Sequence, residues 1–248
     1  MRLKLIACEV LYRELCAAAA RSPNQVDVEF LPKGLHDRGG AAMRVALQEA
    51  IDRVPRDRFD AVAMGYGLCG NGAAGLVARE VPLVVPRAHD CIALLMGGRE
   101  CYRTYFESTP GVYFRSTGWL ERAENVDQAA LGRARSLAGA GYTLEELIGR
   151  YGEEGGRYLH GEFTSYESHY RQLTYIATGV EPDGRFEQQA REEAAQHGWR
   201  FEKLAGSLRM FEKLVAGDWR DDEFLVTPPG WRVKAVYDDR VIDKEPAE

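Results

Sequence analysis

No apolar run in this chain of 248 residues approaches the ~18 residues that a membrane-spanning helix needs, so a membrane partner is not expected. No block of like charge is present either. Lys and Arg number 32 against 38 Asp and Glu, a net charge of −6, and the arginines are scattered as solvated faces, which argues against a nucleic-acid surface. Cysteine is scarce and odd in number, five residues with no Cys-x-x-Cys pair, which speaks against a disulfide framework. The opening run Met1-Arg2-Leu3-Lys4-Leu5-Ile6-Ala7-Cys8-Glu9 meets charge too early for a signal peptide. The expected compartment is therefore the cytoplasm, where thiols stay reduced and open to metal, chemistry or packing.

The chain does have a strand–helix alternation over its first 115 residues. Leu3–Ala7 is a short apolar run, followed by helix formers over Val10–Ala20. Val26–Leu31, Phe59–Met64, Val81–Val85 and Val112–Phe114 read as further strands, and Met43, Leu47, Ala50, Ile51 and Val54 recur at helical spacing. A short helix is expected at Ala73–Ala78, and one from Ile92–Met96 continuing through Tyr105. Alternation at this pace implies crossover connections and a parallel sheet, hence an α/β, Rossmann-like lobe.

Residues 120–172 read as a more polar, mainly helical segment, with a capping box at Thr143-Leu144-Glu145-Glu146. The rhythm returns with strands at Leu173–Ala177, Trp199–Leu204 and Phe224–Thr227, and helices at Phe186–His197, closed by Gly198, and Leu208–Val215. The expected organisation is an N-terminal lobe over 1–119, a connecting segment over 120–172 and a smaller α/β lobe over 173–248; one continuous sheet is the alternative. The charged tail from Asp238 is expected to fray.

Three cysteines each follow a strand: Cys8 after the first, Cys69 after the Phe59–Met64 run, and Cys91 past Val81–Val85. Ligands of open parallel sheets bind at the carboxyl edge of the strands, so parallel neighbours would bring these thiols together. Cys69 lies in Gly65-Tyr66-Gly67-Leu68-Cys69-Gly70-Asn71-Gly72, where Gly67, Gly70, Asn71 and Gly72 would let backbone approach a cofactor and leave amide N–H groups for sulfur or an anion. This run fits neither the dinucleotide fingerprint nor the P-loop, so no nucleotide is expected. Cys8, Cys69 and Cys91 fall on strand-to-helix turns, where a helix N-terminus would lower a thiol pKa. Three thiolates with one exchangeable position suit zinc, or a [4Fe–4S] cluster with one open iron. Each thiol taken alone is as readily a small buried hydrophobe. Cys16, among alanines, reads as core, and Cys101 stands beside Tyr102.

His89-Asp90-Cys91 sets a base, an acid and a thiol side by side. His89 is the candidate fourth ligand or general acid, or else a helix cap; Asp90 is a candidate acid–base group or an N-cap. Glu9, beside Cys8, would accept a proton or orient a ligand, and first-turn glutamates also favour the helix dipole. His36, Tyr66 and Arg87 are weaker candidates, the last two for binding substrate.

Ala7-Cys8-Glu9-Val10-Leu11, Gly65–Gly72 and Pro86-Arg87-Ala88-His89-Asp90-Cys91-Ile92-Ala93-Leu94-Leu95, continuing through Tyr113-Phe114 and Gly118-Trp119, resemble the uncharacterised DUF1638 family. A looser pattern extends to Gly217-Asp218-Trp219 and Pro228-Pro229-Gly230. The resemblance brings no established reaction. It implies association with corrinoid-dependent methyl-transfer systems, and so methyl or sulfur chemistry at a metal. The expected function is a cytoplasmic metal-dependent transferase or lyase acting on a small molecule at Cys8, Cys69 and Cys91. Two alternatives are a non-catalytic metal or corrinoid-binding accessory of a methyltransferase, and a metal-free enzyme with Cys91 as nucleophile activated by His89.

Overall fold

The computed structural model describes residues 1–122, 144–164 and 170–247. Five strands form the first sheet: β1 (Arg2–Cys8), β2 (Gln25–Leu31), β3 (Ala61–Gly65), β4 (Leu83–Pro86) and β8 (Phe224–Thr227), in the order β2-β1-β3-β4-β8. The first four are parallel, and β8 pairs antiparallel to β4. The second sheet, β5 (Val112–Ser116), β6 (Gln172–Ala177) and β7 (Arg200–Ala205), is wholly parallel. A hairpin of β9 (Trp231–Ala235) and β10 (Ile242–Pro246) follows.

The central strands are apolar on both faces because helices cover both. Leu3, Leu5, Ala7, Ala61, Ala63 and Val84 point into one core, which is shared with α1 (Tyr12–Arg21), α4 (Cys91–Leu95) and α9 (Arg209–Ala216). Ile6, Val62, Met64, Leu83 and Val85 point into another, against α3 (Gly40–Asp52). The second sheet packs Leu173 and Tyr175 against Phe186, Ala190 and Ala194 of α8 (Arg185–His197), while Ile176 belongs to the first core. The remaining helices are α2 (Gly34–Asp37), α5 (Arg99–Ser108), α6 (Thr117–Glu121) and α7 (Leu144–Thr164), the last kinked at Gly152.

Several sequence expectations change. Residues 73–78 form no helix, because Gly75 and Ala78 donate to Val233 and Trp231 carbonyls and Val77 bridges to Arg232, laying the segment along β9. The helix from Cys91 stops at Leu95, and positive φ at Gly97 and Gly98 separates it from α5. The tail does not fray throughout: Ile242 is buried and β10 pairs with β9. Sheet membership also crosses the boundaries drawn from sequence, since β5 joins the later sheet and β8 returns to the first. Thr143, the N-cap residue of the expected capping box, lies outside the described residues. Among the described residues no helix is long and apolar enough to cross a membrane.

Candidate functional site

β1, β3 and β4 are adjacent and parallel, so the chain leaves all three at one sheet edge. Cys8 ends β1, Cys69 sits in the loop after β3, and Cys91 opens α4. Together with Pro32, Lys33, Leu35, Met43, Gly65, Tyr66 and Trp119, the three cysteines line a single cavity of about 20 Å³. That volume suits one water-sized group. Cys69, Cys91, Tyr66, Leu35 and Met43 are buried, while Cys8, Lys33 and Trp119 are partly exposed and Pro32 is exposed, so the mouth lies between the Pro32–Lys33 loop and Trp119.

The loop carrying Cys69 is held by its backbone. Leu68 and Cys69 N–H groups donate to the Ala88 and His89 carbonyls at 2.8 Å each. Gly67 permits this approach, because a Cβ there would meet the Ala88 carbonyl oxygen at 2.7 Å and the Asp90 nitrogen at 2.9 Å. Cys69, Gly70 and Asn71 then follow with φ of 46°, 60° and 67°, three left-handed residues in succession. For Cys69 this conformation is unfavourable by about 1–2 kcal/mol, while Asn71 tolerates it better through its short polar side chain. Packing of the loop against residues 88–90 holds them in it.

The expected role of this loop in offering free amides is not what its bonding gives. Gly72, Ala73 and Ala74 N–H groups are all taken by loop carbonyls, and Gly70 and Asn71 are exposed, away from the buried cysteines. Gly72 is buried against Met43. The Gly67 and Cys91 N–H groups do favour the Cys69 thiolate, as expected for amides facing sulfur.

The expectation of lowered thiol pKa values is reversed. Burial pushes Cys8 up to about 11 and Cys69 up to about 12, and Cys91 rises well above the ordinary thiol value for the same reason. Asp90 adds to the rise at Cys69 and Cys91, Cys8 raises both of them, and Cys69 raises Cys91. The Val10 N–H, Lys33 and Tyr66 act in the other direction at Cys8, as does Trp119 at Cys91, but desolvation wins. All three are neutral thiols at pH 7. Native protein treated with iodoacetamide at pH 8 should therefore be alkylated first at exposed Cys101, with Cys69 and Cys91 modified only after denaturation, read by peptide mass mapping. With Cys69 at about 12, only roughly one sulfur in 10⁴ is thiolate at that pH.

The other candidates divide. The Glu9 carboxylate accepts the Lys33 N–H at 2.8 Å, pinning the loop after β2 to the turn after β1. Lys33 Nζ stands 4.6 Å from the centre of the Trp119 ring and donates to the Trp119 carbonyl at 3.2 Å. Asp90 caps α4, its Oδ1 accepting from the Ala93 N–H at 3.1 Å. Asp90→Ala is expected to lower stability by about 1 kcal/mol and Asp90→Asn by much less, measured by thermal unfolding.

His89 is not brought into the thiol cavity. It is exposed and lines a separate space of about 250 Å³ with Arg99, Tyr102, Phe106 and Asp238. With Asp90 committed to the helix cap, the residues on either side of it face different cavities. Arg87 does not line the thiol cavity: it is buried and donates to the carbonyls of Asp221, Arg240 and Ile242. His36 falls in α2, and nothing of its side chain is described. Cys16 and Cys101 stand apart from the site.

Among the described residues, no three Cys, His, Asp or Glu side chains are already grouped to hold a metal ion. Lys33 and Trp119 were missed as site residues. The signal for Lys33 was its place after β2, at the same strand edge; Trp119 belongs to the Gly118-Trp119 motif.

Neither the curated proteins nor the solved structures hold a match to this chain. A family model described as a protein of unknown function, DUF1638, matches residues 30–215, a span that includes Cys69, Cys91, Tyr66, Lys33 and Trp119 and begins after Cys8. With most of its length covered by that match, the chain belongs to the DUF1638 family.

Proposed function

We propose that this chain is a thiolate metalloprotein, an enzyme that uses Cys8, Cys69 and Cys91 to hold one soft metal ion, zinc foremost, in methyl-transfer or sulfur chemistry on a small molecule. The observation that carries the reading is the shared cavity, lined by sulfurs from three strand ends far apart in sequence. The first sheet is on this reading a Rossmann-like lobe with its ligand edge in the usual place.

A cavity that suits one water-sized group favours a single ion over a [4Fe–4S] cluster. Ion capture requires the sulfurs to close in on a common centre. His89 lines a different cavity, so the residues that would hold the ion are Cys8, Cys69 and Cys91. Bound zinc supplies a Lewis acid that keeps a ligating thiol deprotonated. The chain's own residues set the three sulfurs along one cavity, would exclude bulk water with Leu35, Met43 and Trp119, and would place the Lys33 ammonium near the negative charge of a Cys8 thiolate.

The test is anaerobic purification followed by metal and sulfide analysis. The expected result is about one zinc per chain without acid-labile sulfide. A brown chromophore with stoichiometric sulfide would replace zinc by a cluster. A metal-free chain that takes up neither zinc nor cobalt would sink the reading.

A further inference from the structure

His89, two residues before Cys91, lines a cavity of about 250 Å³ with Arg99, Tyr102 and Phe106 of α5 and with Val241 just ahead of β10. On a scale where one water needs about 10–15 Å³, it has room for well over ten non-hydrogen atoms. Arg99 is the polar group here whose bonding is incomplete. Its Nη1 is enclosed and meets no acceptor, and its Nε stands 3.6 Å from the Glu100 carboxylate, beyond hydrogen-bond length. An enclosed charged donor left in this state costs upward of about 1–3 kcal/mol until an acceptor reaches it. The lining carboxylates do not fill that role. Glu100 and Asp239 pair with Arg103, and Asp238 pairs with Arg240. Glu107 is exposed and lies about two helical turns along α5 from Arg99.

Arg99, Tyr102 and Phe106 recur at three- and four-residue spacing, so one face of α5 sets the guanidinium and both rings along the same wall. The two rings stack, with centroids 5.7 Å apart and planes 20° off parallel, and Phe106 is 49% exposed. Apolar ring surface is therefore open for a ligand to cover. A guanidinium fork matches a planar carboxylate, and the rings match a flat apolar body. A dianion such as a phosphate monoester would meet twice the repulsion from the lining carboxylates, which favours a single charge. We infer that this cavity is a binding site for a small aromatic carboxylate, its carboxylate on Arg99 and its ring against Tyr102 and Phe106. Arg99 also borders a cavity of about 190 Å³ with Arg209, but that lining has no aromatic ring. The inference is independent of any metal in the thiol cavity. The two cavities share a turn, since the His89 carbonyl accepts the Cys69 N–H at 2.8 Å, and Asp90 and Cys91 both oppose ionisation of Tyr102. A ligand beside His89 thus bears on the backbone that positions Cys69.

The experiment is a calorimetric titration of the full chain, treated with chelator, with benzoate. Saturable one-to-one binding is expected, with a Kd on the order of 0.1–1 mM. Benzamide, which lacks the charge, should bind at least about tenfold more weakly, and cyclohexanecarboxylate, which lacks the flat ring, about threefold to tenfold more weakly. Arg99→Gln should weaken benzoate about tenfold or more and erase its advantage over benzamide. Phe106→Ala, at a half-exposed position, should weaken benzoate and benzamide alike by about threefold to tenfold. Arg209→Gln should leave both affinities as they are. Circular dichroism checks that the variants fold; if Arg99→Gln does not, the preference for benzoate over benzamide in the parent chain and the Phe106→Ala result decide. No saturable benzoate binding up to about 10 mM, or Arg99→Gln binding as the parent does, overturns the inference. A loss in Arg209→Gln with none in Phe106→Ala would place the anion in the neighbouring cavity and overturn it too. Tighter binding of phenyl phosphate than of benzoate would overturn the carboxylate assignment. Because the chain carries no metal in this titration, the outcome is separate from that of the zinc analysis.

Discussion

Zinc affinity should fall by up to about a thousandfold when the pH is lowered from 8 to 7, and the same slope should persist above pH ~9, where an exposed thiol site would already level off. Cys8 and Cys69 are pushed up to about 11 and 12, and burial raises Cys91 well above the ordinary thiol value. All three are protonated throughout the neutral range, and each must lose its proton to bind the ion. Three protons released make the logarithm of the affinity change by about three per pH unit, rising with pH until the thiols ionise unaided near the raised values. Titration calorimetry in buffers of different ionisation enthalpy counts those protons directly. Cys69→Ser should then lower affinity by about 100–1,000-fold, because an apparent binding energy of 10–16 kcal/mol shared among four ligands gives each about 3 kcal/mol. It should also reduce the released protons by one. Unchanged affinity or an unchanged slope in all three single serine variants would remove these sulfurs from the site.

The largest stability loss should come from Gly118→Ala. A Cβ at this position would lie 1.7 Å from the Val10 carbonyl oxygen and 2.6 Å from its carbon. Both are backbone atoms, so no side chain can swing aside. The helix bearing Gly118 and Trp119 would have to lift off the turn that follows Cys8, opening the gap between the two sheets. Because buried Thr117 bonds Tyr175 and Arg13 holds Glu121 through two hydrogen bonds, the lift would strain both contacts. A cost of at least about 4 kcal/mol is expected, in the range of severe overpacking, and denaturant unfolding measures it. A variant as stable as the parent would mean that this close contact is not made.

Much of the first sheet was legible because its strands are continuous apolar runs stopped by turn residues, as at Phe59–Gly65 and Val81–Pro86. Adjacent parallel strands follow from that alternation, and with them the meeting of Cys8, Cys69 and Cys91. The partner of β4 was not legible, since nothing local in Phe224–Thr227 says which sheet it joins. Side-chain direction at a turn was equally hidden: His89 and Cys91 are two residues apart and serve different cavities. The thiol pKa values were misjudged because the helix-dipole argument ignored depth. α4 has only five residues, and a dipole effect of about 1 kcal/mol is small beside the desolvation of a fully enclosed sulfur.

The antiparallel pairing of β8 against β4 has a consequence for biosynthesis. When Leu83–Pro86 leave the ribosome, the strand that covers their outer edge is still most of a chain away. Until Phe224–Thr227 arrive, the nascent sheet carries an open edge of Leu, Val and Val with unpaired backbone groups, a template for aggregation. The wall that Trp119 provides comes earlier, but its own sheet waits for β6 and β7. Until Trp119 and the sheet that carries it are in place, the three thiols are expected to pass through a solvent-open stage during synthesis. That stage offers an ion easy entry and also exposes three reduced sulfurs to oxidants, so expression under anaerobic, metal-replete conditions should favour intact folded protein.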